Sequence, residues 1–266
     1  HLNINGLLDN TGGTLMATTT GGSTAIIAQQ LDNTRGTVAA NGSGLAMTTG
    51  TLTNTQGNIL QAGAGLLQID ATMLSNSSTD LQANGRIISN GAIDLNLTSA
   101  LHNSGLISAA QVLDIAAPTI TNSGRGLLGS RNGAVVIDAT TLTNSATISG
   151  ATATELTTTT LNNRDGTIQS DGTVTINTNQ LTTGTITGQA ILATVSSNLT
   201  IGSQEQLQAT HNLVLNTSGS LTNSGSIISG NQLQLSSSHL TNQQSGVIKA
   251  GNRGTVTTGT LTNLGT

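Results

Sequence analysis

The chain has 266 residues, with 7% charged side chains, a formal net charge of −4, one Pro, and no Phe, Tyr, Trp or Cys. An ordinary globular core uses a few aromatic side chains to fill irregular space, so this composition argues against one. The seven Lys and Arg residues are scattered, which excludes the basic surface of a nucleic-acid-binding protein, and no apolar run approaches the roughly 18 residues of a membrane-spanning helix.

One short phrase, Leu or Ile followed by any residue and then Asn, recurs along the chain. It starts at Leu8, Leu31, Leu52, Leu74, Leu101, Ile120, Leu142, Leu161, Leu221, Leu240 and Leu261. Leu181 and Leu199 keep the same phase but lack the Asn. The mean interval of about 21 residues lies in the range of solenoid repeats.

Inside each repeat, apolar residues alternate with polar ones. In the repeat that begins at Leu101, the apolar positions continue at Ile107, Leu113 and Ile115. A period of two predicts β-strands, and the Gly, Asn, Asp and Ser residues between the runs predict turns. Each repeat is therefore predicted to form two or three short strands, and no segment has the length or the period of a helix.

A single repeat of this kind cannot bury its apolar face. Successive repeats can do so by winding into a coil whose strands pair in parallel with those of the neighbouring coils. The sequence thus predicts an all-β fold, a parallel β-helix (solenoid) with coils of roughly 20 residues. Equivalent Leu, Ile and Val side chains would stack from coil to coil without irregular holes, which accounts for the missing aromatic residues.

The repeated Asn lies two residues after an inward Leu or Ile, so it is predicted to point inward at a corner of the coil. A stacked amide can bond to the amides of neighbouring coils, whereas a lone buried amide would be costly. Asn also tolerates a left-handed backbone at such a corner, and the Gly two or three residues later suits the same turn. The predicted structural Asn ladder contains Asn10, Asn33, Asn54, Asn76, Asn103, Asn122, Asn144, Asn163, Asn223, Asn242 and Asn263.

The repeat pattern continues to both ends of the sequence, and neither end offers a polar capping repeat. We therefore expect residues 1–266 to be one β-helical repeat segment of a longer chain. The interval from Leu74 to Leu101 is longer than its neighbours and predicts a loop insertion at 77–82. Insertions in solenoids often map to a binding face, so the possible contact loop consists of Ser77, Ser78, Thr79, Asp80, Leu81 and Gln82.

The phrases "LTNSGSIISGNQLQL" from Leu221, "LHNSGLISAAQVLDI" from Leu101 and "LDNTRGTVAANG" from Leu31 resemble the repeats of filamentous haemagglutinin-like exoproteins. These exoproteins include the adhesins of two-partner secretion and the effectors of contact-dependent growth inhibition. The resemblance covers nearly the whole chain. It implies a right-handed β-helical shaft, secreted and displayed on the bacterial outer cell surface, that mediates adhesion or presents a toxin.

The same resemblance implies the partners of the chain. They are an outer-membrane transporter of the two-partner secretion type and a receptor or glycan on a host or neighbouring cell. No nucleic acid, membrane span, metal or cofactor is expected, and no HExxH, CxxC, Walker or GxSxG pattern occurs. The chain is accordingly predicted not to be an enzyme, and its four histidines, His1, His102, His211 and His239, are far apart in sequence.

Four acidic residues in successive repeats keep one alternative open. Asp70, Asp94, Asp114 and Asp138 each lie beside an inward aliphatic residue, so alternation turns them outward, where they could line one face. Such a line would serve solubility or support a calcium-dependent surface. β-helical polysaccharide lyases and hydrolases also use acidic groups on a coil face, and a carbohydrate-active enzyme is therefore the alternative function.

Overall fold

The computed structural model describes residues 1–78 and 85–266, and none of these residues is helical. The chain forms two compact units, His1–Thr140 and Thr141–Thr266. No helix that could cross a membrane occurs among the residues that the structure describes.

The first unit contains long strands of 8 to 11 residues that alternate with short strands of 4 residues. Its strands are β1 (Leu2–Asp9), β2 (Thr14–Ala17), β3 (Ser23–Asp32), β4 (Thr37–Ala40), β5 (Gly44–Thr53), β6 (Asn58–Gln61), β7 (Leu66–Asn76), β8 (Arg86–Ser89), β9 (Ile93–Asn103), β10 (Leu106–Ala109), β11 (Leu113–Asn122) and β12 (Leu127–Ser130). The following strand, β13 (Ala134–Asn144), contains residues of both units.

The second unit repeats this alternation with two exceptions. Its strands are β14 (Thr147–Gly150), β15 (Ala153–Asn162), β16 (Thr167–Ser170), β17 (Thr173–Thr182), β18 (Thr185–Val195), β19 (Leu199–Ile201), β20 (Gln206–Thr217), β21 (Ser220–Asn223), β22 (Ser226–Ser229), β23 (Gln232–Asn242), β24 (Val247–Ala250) and β25 (Arg253–Asn263). β18 and β20 are the exceptions. Each is one continuous strand that pairs with both a short strand and the beginning of a long strand in a neighbouring coil.

Within each unit, the strands pair in parallel, and a strand pairs with its equivalent in the next coil. In the first unit, β3 pairs with β5, β5 with β7, and β7 with β9, while the short strands pair as β4 with β6 and β6 with β8. In the second unit, β15 pairs with β17 and β23 with β25. The predicted all-β fold, a parallel β-solenoid with about 21 residues per coil, is confirmed.

The core of each unit consists of aliphatic ladders, in which one inward position is filled by the same kind of side chain in consecutive coils. Leu52, Leu74 and Leu101 form one such ladder in the first unit, where each pairs with the next and none is exposed. Ile168 and Ile186 belong to a corresponding ladder in the second unit. The largest fully buried side chains are Leu, Ile and Met, so these ladders fill the interior without aromatic rings.

A tight turn follows the Leu-x-Asn phrase and closes one corner of the coil. In the coil at Asn33, the amide of Gly36 donates to the carbonyl oxygen of Asn33 at 3.0 Å. The left-handed residue of this turn is Arg35, with φ of 54°, and Gln56 and Asp165 occupy the equivalent position with φ of 55° and 60°. The prediction that the Asn itself provides the left-handed backbone is therefore wrong, because the turn places that conformation two residues later.

Candidate functional site

The predicted Asn residues of the first unit form a continuous column of side-chain hydrogen bonds. Each Nδ2 donates to the Oδ1 of the next Asn at 2.7 to 2.8 Å, from Asn10 through Asn33, Asn54, Asn76 and Asn103 to Asn122. The same Nδ2 atoms also donate to backbone carbonyls; Asn33, for example, reaches Asn58 O at 3.1 Å. All six side chains are buried, so the column holds polar groups inside the coil with their bonds satisfied.

The column of the second unit is interrupted. Asn144 donates to Asn163 at 2.7 Å, but Asn163 then donates to the backbone oxygen of Thr183 at 2.6 Å because no Asn side chain follows it. Ile201 occupies the next equivalent position, in register with Asn223. From Asn223 the column resumes at 2.8 and 2.9 Å to its last members, Asn242 and Asn263.

The interruption leaves one buried acceptor without a donor. Asn223 Oδ1 has no hydrogen-bond partner, and the Asn223 side chain is fully buried. In an uninterrupted stretch this oxygen would accept from the Asn of the preceding coil, but Ile201 stands there and has nothing to donate.

The predicted contact loop is only partly within the described residues. Ser77 and Ser78 continue the corner after Asn76, where Ser77 Oγ lies 2.8 Å from Thr55 Oγ1 and Ser78 N donates to Ser104 Oγ at 3.2 Å. Thr79, Asp80, Leu81 and Gln82 lie outside the described residues. The strands before and after the longer interval, β7 and β9, are in register at the corner, because Asn76 pairs directly with Asn103.

The predicted line of acidic residues in the first unit is not one straight column. Asp94 and Asp114 are direct partners on neighbouring strands. Asp70 is paired with Asn96 instead and accepts hydrogen bonds from Gln68 Nε2 at 2.8 Å and from Asn96 Nδ2 at 3.2 Å.

Burial, and after it the neighbouring carboxylate of Asp94, raise the pKa of Asp114 above its ordinary value, and Asp138 adds to the same effect. The side chains of His102, His211 and His239 are exposed. Among residues 1–78 and 85–266, no three His, Cys, Asp or Glu side chains lie close enough together to hold a metal ion.

A polar notch, which was not predicted from the sequence, lies in the second unit. It is at the C-terminal end of the short strands, whereas the Asn column lies at their N-terminal end. A two-residue turn at 171–172 separates β16 from β17, but β18 runs through this corner with a register shift between Gly188 and Ala190. The missing turn leaves a surface notch of about 350 Å³ lined by Ser170, Asp171, Thr187, Gly188, Gln189, Gln208 and Thr210. The sequence signal is the interval from Leu181 to Leu199, which is shorter than the mean interval between repeats.

The lining of the notch offers side chains that can form hydrogen bonds. Asp171, Gln189 and Gln208 are exposed, and their side chains have no hydrogen-bond partner among the described residues. One carboxylate, two carboxamides and two Thr hydroxyls offer donors and acceptors for a polar ligand. Neither a cationic side chain nor a histidine lines the notch.

A family model decides the kind of repeat. The model described as the haemagglutinin repeat matches residues 2–56 and 62–128, which is slightly less than half of the chain. Residues 2–56 and 62–128 are therefore haemagglutinin repeats. Both matched stretches lie in the first unit, where the Asn column is continuous.

The structural features of the matched repeats continue beyond residue 128. The second unit carries the same Leu-x-Asn corner, the same parallel pairing of long strands and the same amide-to-amide bonds, as between Asn223 and Asn242. No curated protein and no solved structure is significantly similar to the chain. The haemagglutinin-repeat family is a structural adhesin family, not an enzymatic one.

Proposed function

We propose that this chain is an adhesin-type shaft segment of a bacterial exoprotein that is secreted and displayed on the outer cell surface. The observation that supports the proposal most is the combination of haemagglutinin repeats with a solenoid in which nearly every inward position serves coil-to-coil stacking. Such a shaft provides length and stiffness, because each added coil advances the chain by about 4.8 Å and contacts only its neighbours. Its tip would carry an adhesive region or, in growth inhibition, a toxin.

Export is part of this proposal. The partner would be an outer-membrane transporter of the two-partner secretion type, through which the chain passes unfolded. A chain without Cys forms no disulfides that could trap it before export, and a solenoid can fold coil by coil as it emerges. The haemagglutinin repeats are the feature of this chain that favours such a route.

The receptor or glycan of a host or neighbouring cell would be contacted at one of two places. The polar notch around Asp171, Gln189 and Gln208 offers unpartnered hydrogen-bonding groups, which suit the hydroxyl-rich surface of a glycan. The loop insertion at 77–82 is the second place, since solenoid insertions often lie on a binding face.

Binding of the purified protein to whole bacterial and mammalian cells tests the proposal. We expect saturable binding to one cell type. If the notch is the contact, binding should fall at least ten-fold in the triple variant Asp171→Ala, Gln189→Ala, Gln208→Ala. A deletion of residues 77–82 tests the insertion in the same assay.

The matched control replaces Glu155, Gln180 and Gln234 with Ala. These are also one carboxylate and two carboxamides on exposed strand positions of the second unit, but none of them lines the notch. The control should bind as the unchanged protein does. Absence of binding to any cell would refute an adhesive role for these residues and leave a spacer, and equal loss in both triple variants would refute the notch as the contact.

A further inference from the structure

The interruption of the Asn column marks one corner of the second unit as different from every other described corner. In the first unit, each amide from Asn10 to Asn103 is bonded to the next amide. In the second unit, Thr183 and Ile201 replace two consecutive members. The coils at these two residues are therefore joined to their neighbours at this corner without a buried amide-to-amide bond.

The replacement of Asn by Thr183 and Ile201 removes side-chain hydrogen bonds to the coils on both sides, those of Asn163 and Asn223. On one side, Asn163 Nδ2 still finds an acceptor, the backbone oxygen of Thr183. On the other side, Asn223 Oδ1 finds no donor although its side chain is fully buried. An unpaired buried acceptor regains its hydrogen bond as soon as water enters, so opening of the coil at this corner is favoured relative to the other corners.

A half-exposed carboxylate partly replaces the missing bonds. Thr183 Oγ1 donates to Glu205 Oε2, and Gly202 N donates to the same oxygen at 2.8 Å. Glu205 is half-buried, unlike the ladder Asn residues, so water competes for its oxygen atoms. The corner is therefore stabilised by a partly exposed side chain, Glu205, which can exchange these two hydrogen bonds for hydrogen bonds to water.

The strand at this corner is also short. β19 has only three residues, Leu199–Ile201, and pairs with β21 over these three positions. Few regular backbone hydrogen bonds therefore join the two coils at this corner.

We propose that the corner formed by Thr183, Ile201, Glu205 and Asn223 is a built-in yield point, the place at which the second unit opens first under load. In a solenoid, stability is approximately a sum of terms for each coil and for each contact between neighbouring coils, so the weakest contact sets where opening begins. A shaft with such a point lengthens by local opening while its other coils stay folded. The proposal concerns the fold and does not depend on the adhesin function.

Hydrogen exchange of the whole chain, followed by mass spectrometry, tests the yield point. We expect the amides of β19 and β21 to exchange at least ten-fold faster than those of β14 and β15, which pair with the regular strands β16 and β17. Uniform exchange across these four strands, or slower exchange in β19 and β21, would overturn the proposal.

Restoring the missing donor provides the decisive variant. In Ile201→Asn, the new Nδ2 faces Asn223 Oδ1 as the Asn of one coil faces that of the next elsewhere in the column. We expect exchange in β19 and β21 to slow about ten-fold, since one buried acceptor gains its partner. The matched control is Ile227→Asn, which buries an amide at a fully buried position with only Leu207 and Ile248 as register partners and should speed exchange.

A further variant keeps the proposal testable if Ile201→Asn does not fold. Glu205→Ala removes the acceptor of Thr183 Oγ1 and Gly202 N, so exchange should become faster in β19 and β21 and stay unchanged in β15. If Ile201→Asn speeds exchange as strongly as Ile227→Asn does, or Glu205→Ala leaves β19 and β21 unchanged, the corner is not the yield point.

Discussion

Asn54 donates a hydrogen bond through Nδ2 to Asn76 Oδ1 at 2.8 Å, across two neighbouring coils that are 22 residues apart in sequence. The same nitrogen lies 3.2 Å from the carbonyl oxygens of Gly57 and Arg86, and Asn54 Oδ1 accepts from Asn33 at 2.8 Å. The amide is therefore fixed in one orientation, with its nitrogen facing three acceptors. No other uncharged side chain of this size has donor and acceptor in this arrangement.

Asn54→Asp should lower the free energy of unfolding of the first unit by about 3 kcal/mol or more at neutral pH. The substitution keeps the shape but directs a carboxylate oxygen at three acceptors in a fully buried place. Urea unfolding, followed by circular dichroism, measures the change. Asn132→Asp, at an exposed turn, is the control and should stay within about 0.5 kcal/mol; an equal effect of both substitutions would contradict the ladder.

The positions of the ladder Asn residues could be predicted from the sequence because a solenoid repeats one local environment. Once Leu74 and Leu101 are given the same phase, Asn76 and Asn103 must meet, and they do so even across the longer interval. The residue with the left-handed backbone could not be predicted in this way. It is Gly12 or Gly124 in two coils, as expected of a Gly two residues after the Asn, but Arg35, Gln56 or Asp165 in others, so the position is not marked by one residue type.

The polar notch and the unpaired Asn223 Oδ1 could not be predicted, because both arise from what a neighbouring coil lacks. The notch requires that β18 run through a corner at which the preceding coil turns. The unpaired oxygen requires that Ile201, and not another residue of its repeat, be in register with Asn223. A repeat pattern predicts shared positions, whereas these two features depend on the detailed register of single coils.

Gly57→Ala should destabilise the first unit strongly, by about 2 to 4 kcal/mol. A Cβ at Gly57 would lie 2.0 Å from the backbone oxygen of Asn33 and 2.4 Å from Asn54 Oδ1, so the close approach of two coils requires a residue without one. The control is Gly21→Ala, where a Cβ would meet nothing within 4 Å. Thermal unfolding of both variants measures the difference, and a small effect at Gly57 would mean that neighbouring coils can separate at little cost.

Asp165→Gly should raise the stability of the second unit by up to about 1 kcal/mol. Asp165 has φ of 60°, which is unfavourable for a residue with a Cβ, and its side chain is exposed without a hydrogen-bond partner among the described residues. The neighbouring Arg164 lies in the same turn without a positive φ, so Arg164→Gly should instead lower stability. The urea midpoints of the two variants should therefore move in opposite directions, and a shift in the same direction would disprove the backbone explanation.

The two carboxylates of Asp94 and Asp114 repel each other on neighbouring strands, and this repulsion predicts a pH dependence. Because burial and Asp94 raise the pKa of Asp114, its charged form is disfavoured in the folded state. The resulting penalty is fully present above the raised pKa and is relieved as the pH falls through it towards the ordinary Asp value of 3.8.

Asp114→Asn should therefore stabilise the first unit at pH 7 by a few tenths of a kcal/mol, since the group is largely exposed and solvent screens the repulsion. The advantage should disappear below the ordinary pKa of Asp and should shrink in high salt. Asp70→Asn is the matched control and should give no gain, because Asp70 accepts hydrogen bonds from Gln68 and Asn96. Urea midpoints at pH 7 and pH 3, at low and high salt, provide the measurement; a gain for Asp114→Asn that is independent of pH would show that the repulsion of Asp94 is not its cause.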